Sequence, residues 1–188
     1  IWPIYNDDEF QKLINIKGRR FDVNNLTEYI QEKDIVDFGC GNGSIGFALL
    51  ERGAKSVYGF DFGEAQVKYA NQIAKKRGLE NCAHFAVGDI LKPNLPNEKY
   101  DFAVCSAVLH HLPTKDDILV VIKEISKVLR PGGGLFIYVD GSDAISINIK
   151  DTCVEVLEDV GIEFIENVVG RLNLTREKVT HITDNLSA

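Results

Sequence analysis

The 188-residue chain contains no methionine, one tryptophan and five prolines, and its 21 Lys and Arg are outnumbered by 28 Asp and Glu. That shortage of basic charge leaves a formal net charge of −7, which argues against a surface built to neutralise nucleic-acid phosphates. The only short basic cluster, Lys75-Lys76-Arg77, stands directly before Gly78. It reads as the last turn of a helix, where cations complement the macrodipole and glycine ends the helix. No apolar run reaches transmembrane length and the amino terminus is not signal-like, so a cytoplasmic, unanchored protein without a membrane partner is expected. Cys40, Cys82, Cys105 and Cys153 are widely separated, with no C-x-x-C pair and no histidine at ligand spacing. The pattern excludes a zinc module and fits free thiols in a reducing compartment. The lack of methionine even at position 1 implies that the natural start lies upstream or that methionines are missing from the sequence as written.

What is present is 45% hydrophobic residues, enough for one sizeable core, and residues 1–188 are expected to form a single domain. Between Asp34 and Asp140 short apolar runs alternate with longer amphipathic segments, the pattern of a parallel sheet covered by helices. Strands are predicted over 34–38, 56–61, 82–87, 100–106 and 134–139, and helices over 44–52, 64–77 and 115–129. Gly53 and Gly78 stop the first two helices, and Thr114 with Asp117 reads as a capping box for the third. Residues 1–33 read as one or two helices forming an N-terminal lid on a core over 34–140. Residues 141–188 read as a helical cap or tail, clearest over 151–160 and 175–182.

The stretch IVDFGCGNGSIG, Ile35 to Gly46, places a glycine-rich turn between the first strand and the first helix of that core. Glycines let backbone approach a ligand closely, and the following helix N-terminus favours negative charge, so the position predicts a nucleotide-like ligand. A literal G-x-G-x-x-G begins only at Gly41, late in the turn, and the better reading is Asp37-x-Gly39-x-Gly41-x-Gly43. The leading acid separates two ligand classes: a carboxylate repels a pyrophosphate but attracts an ammonium and a sulfonium. Asp61, ending the second strand, stands at the carboxyl edge where open α/β sheets bind ligands. Its carboxylate suits a ribose diol, and the flanking Phe60 and Phe62 provide no base for a 2′-phosphate.

Together these residues resemble the class I S-adenosylmethionine-dependent methyltransferases. The resemblance rests on Asp37, Gly39, Gly41 and Gly43, on Asp61 in VYGFDFG, on Asp89 in VGDI, and on YDFAVCSAVLHHL and LRPGGGLFIYVD for the fourth and fifth strands, covering roughly residues 33–140. It implies a doubly wound, Rossmann-like sheet in the order 3-2-1-4-5. The family's usual C-terminal hairpin is not evident in 141–188. It also implies S-adenosylmethionine as cofactor. The backbone of Gly39, Cys40, Gly41, Asn42 and Gly43 would hold the methionine end, Asp61 with Phe62 the ribose side, and Asp89 with Ile90 the adenine, with Ser106 at the end of strand four. Cys40 reads as a small spacer, not a nucleophile.

After strand four the chain has Cys105-Ser106-Ala107-Val108, neither the Asn-Pro-Pro-Tyr of amide and amino methylation nor the Pro-Cys of cytosine-C5 methylation. With the acidic composition this points to a small-molecule acceptor at O, N or C, and VLHHLP resembles the enzymes that methylate quinone precursors and secondary metabolites. No metal is expected, since Asp140 alone makes no site. In-line transfer is mostly positioning, but a histidine near neutral pKa would serve as base. Candidates are His111, His110 and Tyr5, the last on the proposed lid. Two other readings remain. An NAD(P)-linked oxidoreductase would show a glycine loop without the leading acid and a Tyr-x-x-x-Lys pair, and neither is visible. A non-catalytic cofactor-binding subunit would retain every binding motif.

Overall fold

In the computed structural model, which describes residues 5–138, the first helix opens on a reciprocal cap. The Asn6 side chain accepts from the Glu9 amide at 3.0 Å while the Glu9 carboxylate accepts from the Asn6 amide at 3.0 Å. Such a cap contributes about 1 kcal/mol. The helix, α1 (Asp7–Val23), buries Phe10, Ile14, Gly18 and Phe21 at helical spacing. A short α2 (Thr27–Ile30) leads into the sheet. Contacts divide the chain at Ile90 and Leu91 into two compact units.

The first unit carries β1 (Asp34–Phe38), α3 (Ser44–Glu51), β2 (Ser56–Asp61), α4 (Glu64–Lys76) and β3 (Ala83–Val87). β1 pairs with β2 and β2 with β3, both parallel, in registers that set Phe38 beside Phe60 and Asp61 beside Val87. Both helices end as their glycines require. Gly53 (φ +89°) lets Ala54 donate to Leu49 O, and Gly78 (φ +68°) lets Leu79 donate to Ala74 O, the six-to-one bond of a left-handed helix stop. α1 docks on α3: the Phe10 ring meets Phe47 edge-on at 5.9 Å and Tyr69 at 5.5 Å, and the Arg77 guanidinium lies over Phe10 and Phe47 at 5.7 and 5.6 Å. Arg52 grips Asp22 through two bonds of 2.7 Å, filling the space beside Gly18. A helix held this way is part of the unit's core.

The second unit, described up to Tyr138, carries β4 (Tyr100–Ser106), a 3₁₀ turn at Leu109–His111, α5 (Lys115–Val128) and β5 (Leu129–Tyr138). α5 buries Ile118, Val121, Ile122 and Ile125 along one face. The five strands form one sheet in the order β3-β2-β1-β4-β5, as anticipated from sequence. Two details differ. β5 starts at Leu129, five residues before the predicted strand, because Leu129 pairs with Tyr100 and the ladder absorbs Pro131 and its glycines in a register irregularity. The Thr114 cap is half a box: Thr114 Oγ1 accepts from the Asp117 amide at 3.1 Å. The shorter aspartate takes the threonine hydroxyl at 2.5 Å, where a glutamate would reach back to the N-cap amide. The expected helices over 151–160 and 175–182 and the missing hairpin lie outside the described residues.

Candidate active site

The turn between β1 and α3 alternates left-handed glycines with compact residues. Gly39, Gly41 and Gly43 have φ of +78°, +51° and +79°, a conformation that costs an L side chain about 1–2 kcal/mol. The root of the turn is fixed by Phe60, whose carbonyl accepts from the amides of Gly39 (2.9 Å) and Cys40 (3.1 Å). Its far end is fixed by Gly43 donating to Cys40 O at 2.9 Å and by the Asn42 side chain accepting from the Ser44 amide at 3.1 Å, which starts α3.

Two carboxylates belong to this turn, in opposite states. Asp61, at the end of β2, is half-buried and engaged: Oδ2 accepts from the Gly41 amide at 3.0 Å and Oδ1 from the Gly63 amide at 2.9 Å. Asp37, on β1, is 1% exposed and neither oxygen has a hydrogen-bond partner. Burial, and then the charge of Asp61, push its carboxyl up to about 7, with Lys17 pulling the other way. An orphaned buried carboxylate is expensive, and a cationic group is what would satisfy it.

The glycines divide by what surrounds them. At Gly41 a Cβ would meet nothing within 4 Å, so the turn presents bare backbone to open space. At Gly43 it would meet Phe85 Cζ at 2.9 Å and the Ala70 Cβ at 3.0 Å, and at Gly46 Val57 and Phe85 at 3.1 and 3.2 Å. Gly59, in mid-β2, would meet both Cys40 Cβ and Phe85 Cδ1 at 2.7 Å. One ring, Phe85, therefore sets three glycines. Cys40 is a packing residue, 6% exposed, its thiol pushed far up by burial and by Asp37 and Asp61. Sequence reading passed over Gly59, Gly63 and Phe85. A glycine inside a strand was the available signal, since it marks close approach of another backbone.

The remaining candidates fall in both units. Phe62 is 86% exposed at the carboxyl end of β2, one residue past Asp61, which pairs with exposed Val87 at the end of β3. Gly88 donates to Asp61 O at 2.9 Å, bringing exposed Asp89 and half-buried Ile90 past that same edge. Tyr5 packs its ring on Phe10 at 6.3 Å, and its carbonyl accepts from the Tyr69 hydroxyl at 3.3 Å. In the second unit Ser106 is buried at the end of β4, opposite Tyr138, and Ala107 donates to Tyr138 O at 2.7 Å. The 3₁₀ turn that follows buries Leu109, exposes His111 and includes His110 in its backbone. Cys40, Cys82 and Cys105 take part in no disulfide among the described residues. Among the described residues no helix is long and apolar enough to cross a membrane, and no group of three or more His, Cys, Asp or Glu could hold a metal.

Residues 31–183 match the family described as a methyltransferase domain. The chain is 33% identical over 132 residues to a ubiquinone biosynthesis O-methyltransferase of Stutzerimonas stutzeri, covering 69% of this chain and 54% of that enzyme. It is 30% identical over 152 residues to a tRNA U34 carboxymethyltransferase of Campylobacter fetus, covering 78% and 49%. A solved SAM-dependent methyltransferase from Methanosarcina mazei superposes with a TM-score of 0.55 at 32% identity, covering 60% of this chain and 55% of that one. The chain thus spans about half the length of these relatives. A family match running through the glycine turn and the whole sheet, on a fold shared with such structures, places the chain in the class I S-adenosylmethionine-dependent methyltransferases.

Proposed function

We propose that this chain transfers the methyl group of S-adenosylmethionine to a small-molecule acceptor with an oxygen, nitrogen or carbon nucleophile. The observation that carries the reading is Asp37, a buried carboxylate without a partner beneath a turn of bare glycine backbone, a cradle suited to a ligand with a cationic end. When bound, the cofactor supplies an electrophilic methyl carbon on a sulfonium. Asp37 would neutralise the ammonium end, and the backbone of the Gly39–Gly43 turn would lie along the methionine portion. Asp61 accepts the ribose hydroxyls. Phe62, Asp89 and Ile90 would line the adenine side, and Ser106 is a further candidate for the cofactor. His111 or His110 takes the proton where the acceptor is a hydroxyl or protonated amine, with Tyr5 a third candidate.

A small acceptor is favoured over nucleic acid by the net charge of −7 and by the engagement of Lys76 and Arg77 in the Lys75-Lys76-Arg77 run. Lys76 pairs with Asp7 at 2.5 Å, and Arg77 pairs with Glu51 at 3.5 Å while stacking on two rings. The relative named as a ubiquinone biosynthesis O-methyltransferase supports an oxygen nucleophile. Isothermal calorimetry with S-adenosylhomocysteine and with NAD tests the cofactor, and a radiolabelled methyl-transfer screen over phenols, amines and tRNA tests the acceptor. Binding of the first ligand and labelling of a small molecule are expected. Tight NAD binding without S-adenosylhomocysteine binding would overturn the cofactor assignment, and labelling of tRNA alone the acceptor class.

A further inference from the structure

We propose that Asp61, besides the diol role given to it above, is a positioning residue for the glycine turn, its carboxylate tying Gly41 to Gly63 so that the turn is formed before anything binds. The two bonds, 3.0 Å from Gly41 and 2.9 Å from Gly63, connect segments on either side of β2 through one side chain. No packing on its Cβ side holds half-buried Gly41, where a Cβ would meet nothing within 4 Å, whereas Gly43 is wedged against Phe85 and Ala70. A glycine has more backbone freedom to lose than any other residue, and a charge-assisted bond holds this left-handed one in a single conformation. The strut stands on firm ground: Asp61 pairs with Val87 in the ladder and its own carbonyl accepts from Gly88.

A carboxylate offers about four acceptor sites, two to each oxygen, and two amides occupy two of them. The other two match the two hydroxyls of a vicinal diol, so Asp61 receives the ligand without releasing the turn. The ligand then meets a site whose ordering entropy has already been met, which raises affinity for every part of the molecule the turn touches. The diol half of the proposal rests on the cofactor reading; the strut half rests on the two hydrogen bonds.

A chemical double-mutant cycle separates them. The affinities of S-adenosylhomocysteine and its 2′,3′-dideoxy analogue are measured by calorimetry on the wild type and on Asp61→Ala, with amide hydrogen exchange followed at Gly41, Gly63 and Gly78 in the unliganded proteins. The variant should bind the dideoxy analogue roughly tenfold more weakly than the wild type, and the parent compound more weakly still. Exchange should accelerate at Gly41 and Gly63 but not at Gly78, whose helix stop reports an intact fold. Asp61→Asn, which keeps one acceptor oxygen, should fall between and serves if the alanine variant does not fold. Equal affinity of wild type and variant for the dideoxy analogue would overturn the strut. A wild type that binds neither compound would overturn the cofactor reading, leaving exchange at Gly41 to settle the strut by itself: acceleration supports it and no change refutes it.

Discussion

A Cβ on Gly59 would stand 2.7 Å from the Cβ of Cys40, so the mid-strand glycine of β2 and the cysteine of the turn share one side-chain volume. The turn can cross β2 closely only because β2 is bare at that point. The same hypothetical Cβ lies 2.7 Å from Phe85, whose ring cannot yield because it also bounds Gly43 and Gly46.

Gly59→Ala should therefore destabilise by about 1–3 kcal/mol through overpacking and displace the root of the turn. Urea unfolding measures the first effect and calorimetry with S-adenosylhomocysteine the second. Combining it with Cys40→Gly should recover part of the stability, since that removes one of the two clashing atoms. A double variant no more stable than the single one would show that Phe85 alone sets the limit.

Gly41 and Gly43 should part company on substitution. At Gly41 alanine meets open space and pays only for its positive φ, about 1–2 kcal/mol, yet its methyl occupies the face the turn offers to a ligand. At Gly43 the same φ strain adds to contacts of 2.9 and 3.0 Å, for a total of roughly 2–5 kcal/mol. Gly41→Ala should thus keep most of the stability and lose cofactor affinity, while Gly43→Ala should lose both. Equal stability losses in urea would contradict the assignment of open space at Gly41.

Much of this arrangement is legible in the sequence, because local chemistry writes it. Apolar runs mark β1, β2 and β4 to the residue, and Gly53 and Gly78 stop their helices through bonds any left-handed glycine makes. Legibility fails where a distant partner decides. Pro131 and its glycines look like a turn but are drawn into β5 by pairing with β4. Gly18 looks like a helix defect but admits the Arg52 guanidinium. The pattern at Asp61 announces a ribose acceptor and says nothing of Gly41 or Gly63, since those bonds depend on the turn folding back over the strand end.

If His111 is the base, its replacement by alanine should lower single-turnover methyl transfer about 10²–10⁴-fold and leave S-adenosylhomocysteine affinity nearly unchanged. The side chain is exposed on the 3₁₀ turn while Leu109 anchors that turn in the core, so the loss should not be one of folding. His110→Ala run alongside assigns the proton to one of the pair. Near-normal rates in both variants would leave positioning as the whole mechanism.

Asp37 should make both stability and cofactor affinity depend on pH, in opposite senses. With its carboxyl raised to about 7 in the fold, against about 3.9 in an unfolded chain, the native state holds the extra proton between those values. Stability therefore declines as pH rises from about 4 through about 7, by at most roughly 4 kcal/mol once the buried carboxylate is fully ionised. Asp37→Asn removes that slope and should be the more stable protein at pH 8. A cationic ligand wants the ionised form, so affinity for S-adenosylhomocysteine should rise between pH 6 and pH 8 in the wild type as binding expels the proton. Asp61 and Lys17 act on Asp37 with opposite sign, and the Cys40 thiol, pushed far up by burial, remains neutral. Calorimetry in two buffers of different ionisation enthalpy counts the released proton. 5′-Methylthioadenosine, which lacks the ammonium, should bind without pH dependence. A flat profile for S-adenosylhomocysteine with no proton release, or an Asp37→Asn variant that binds as tightly as the wild type, would remove Asp37 from the ligand's reach.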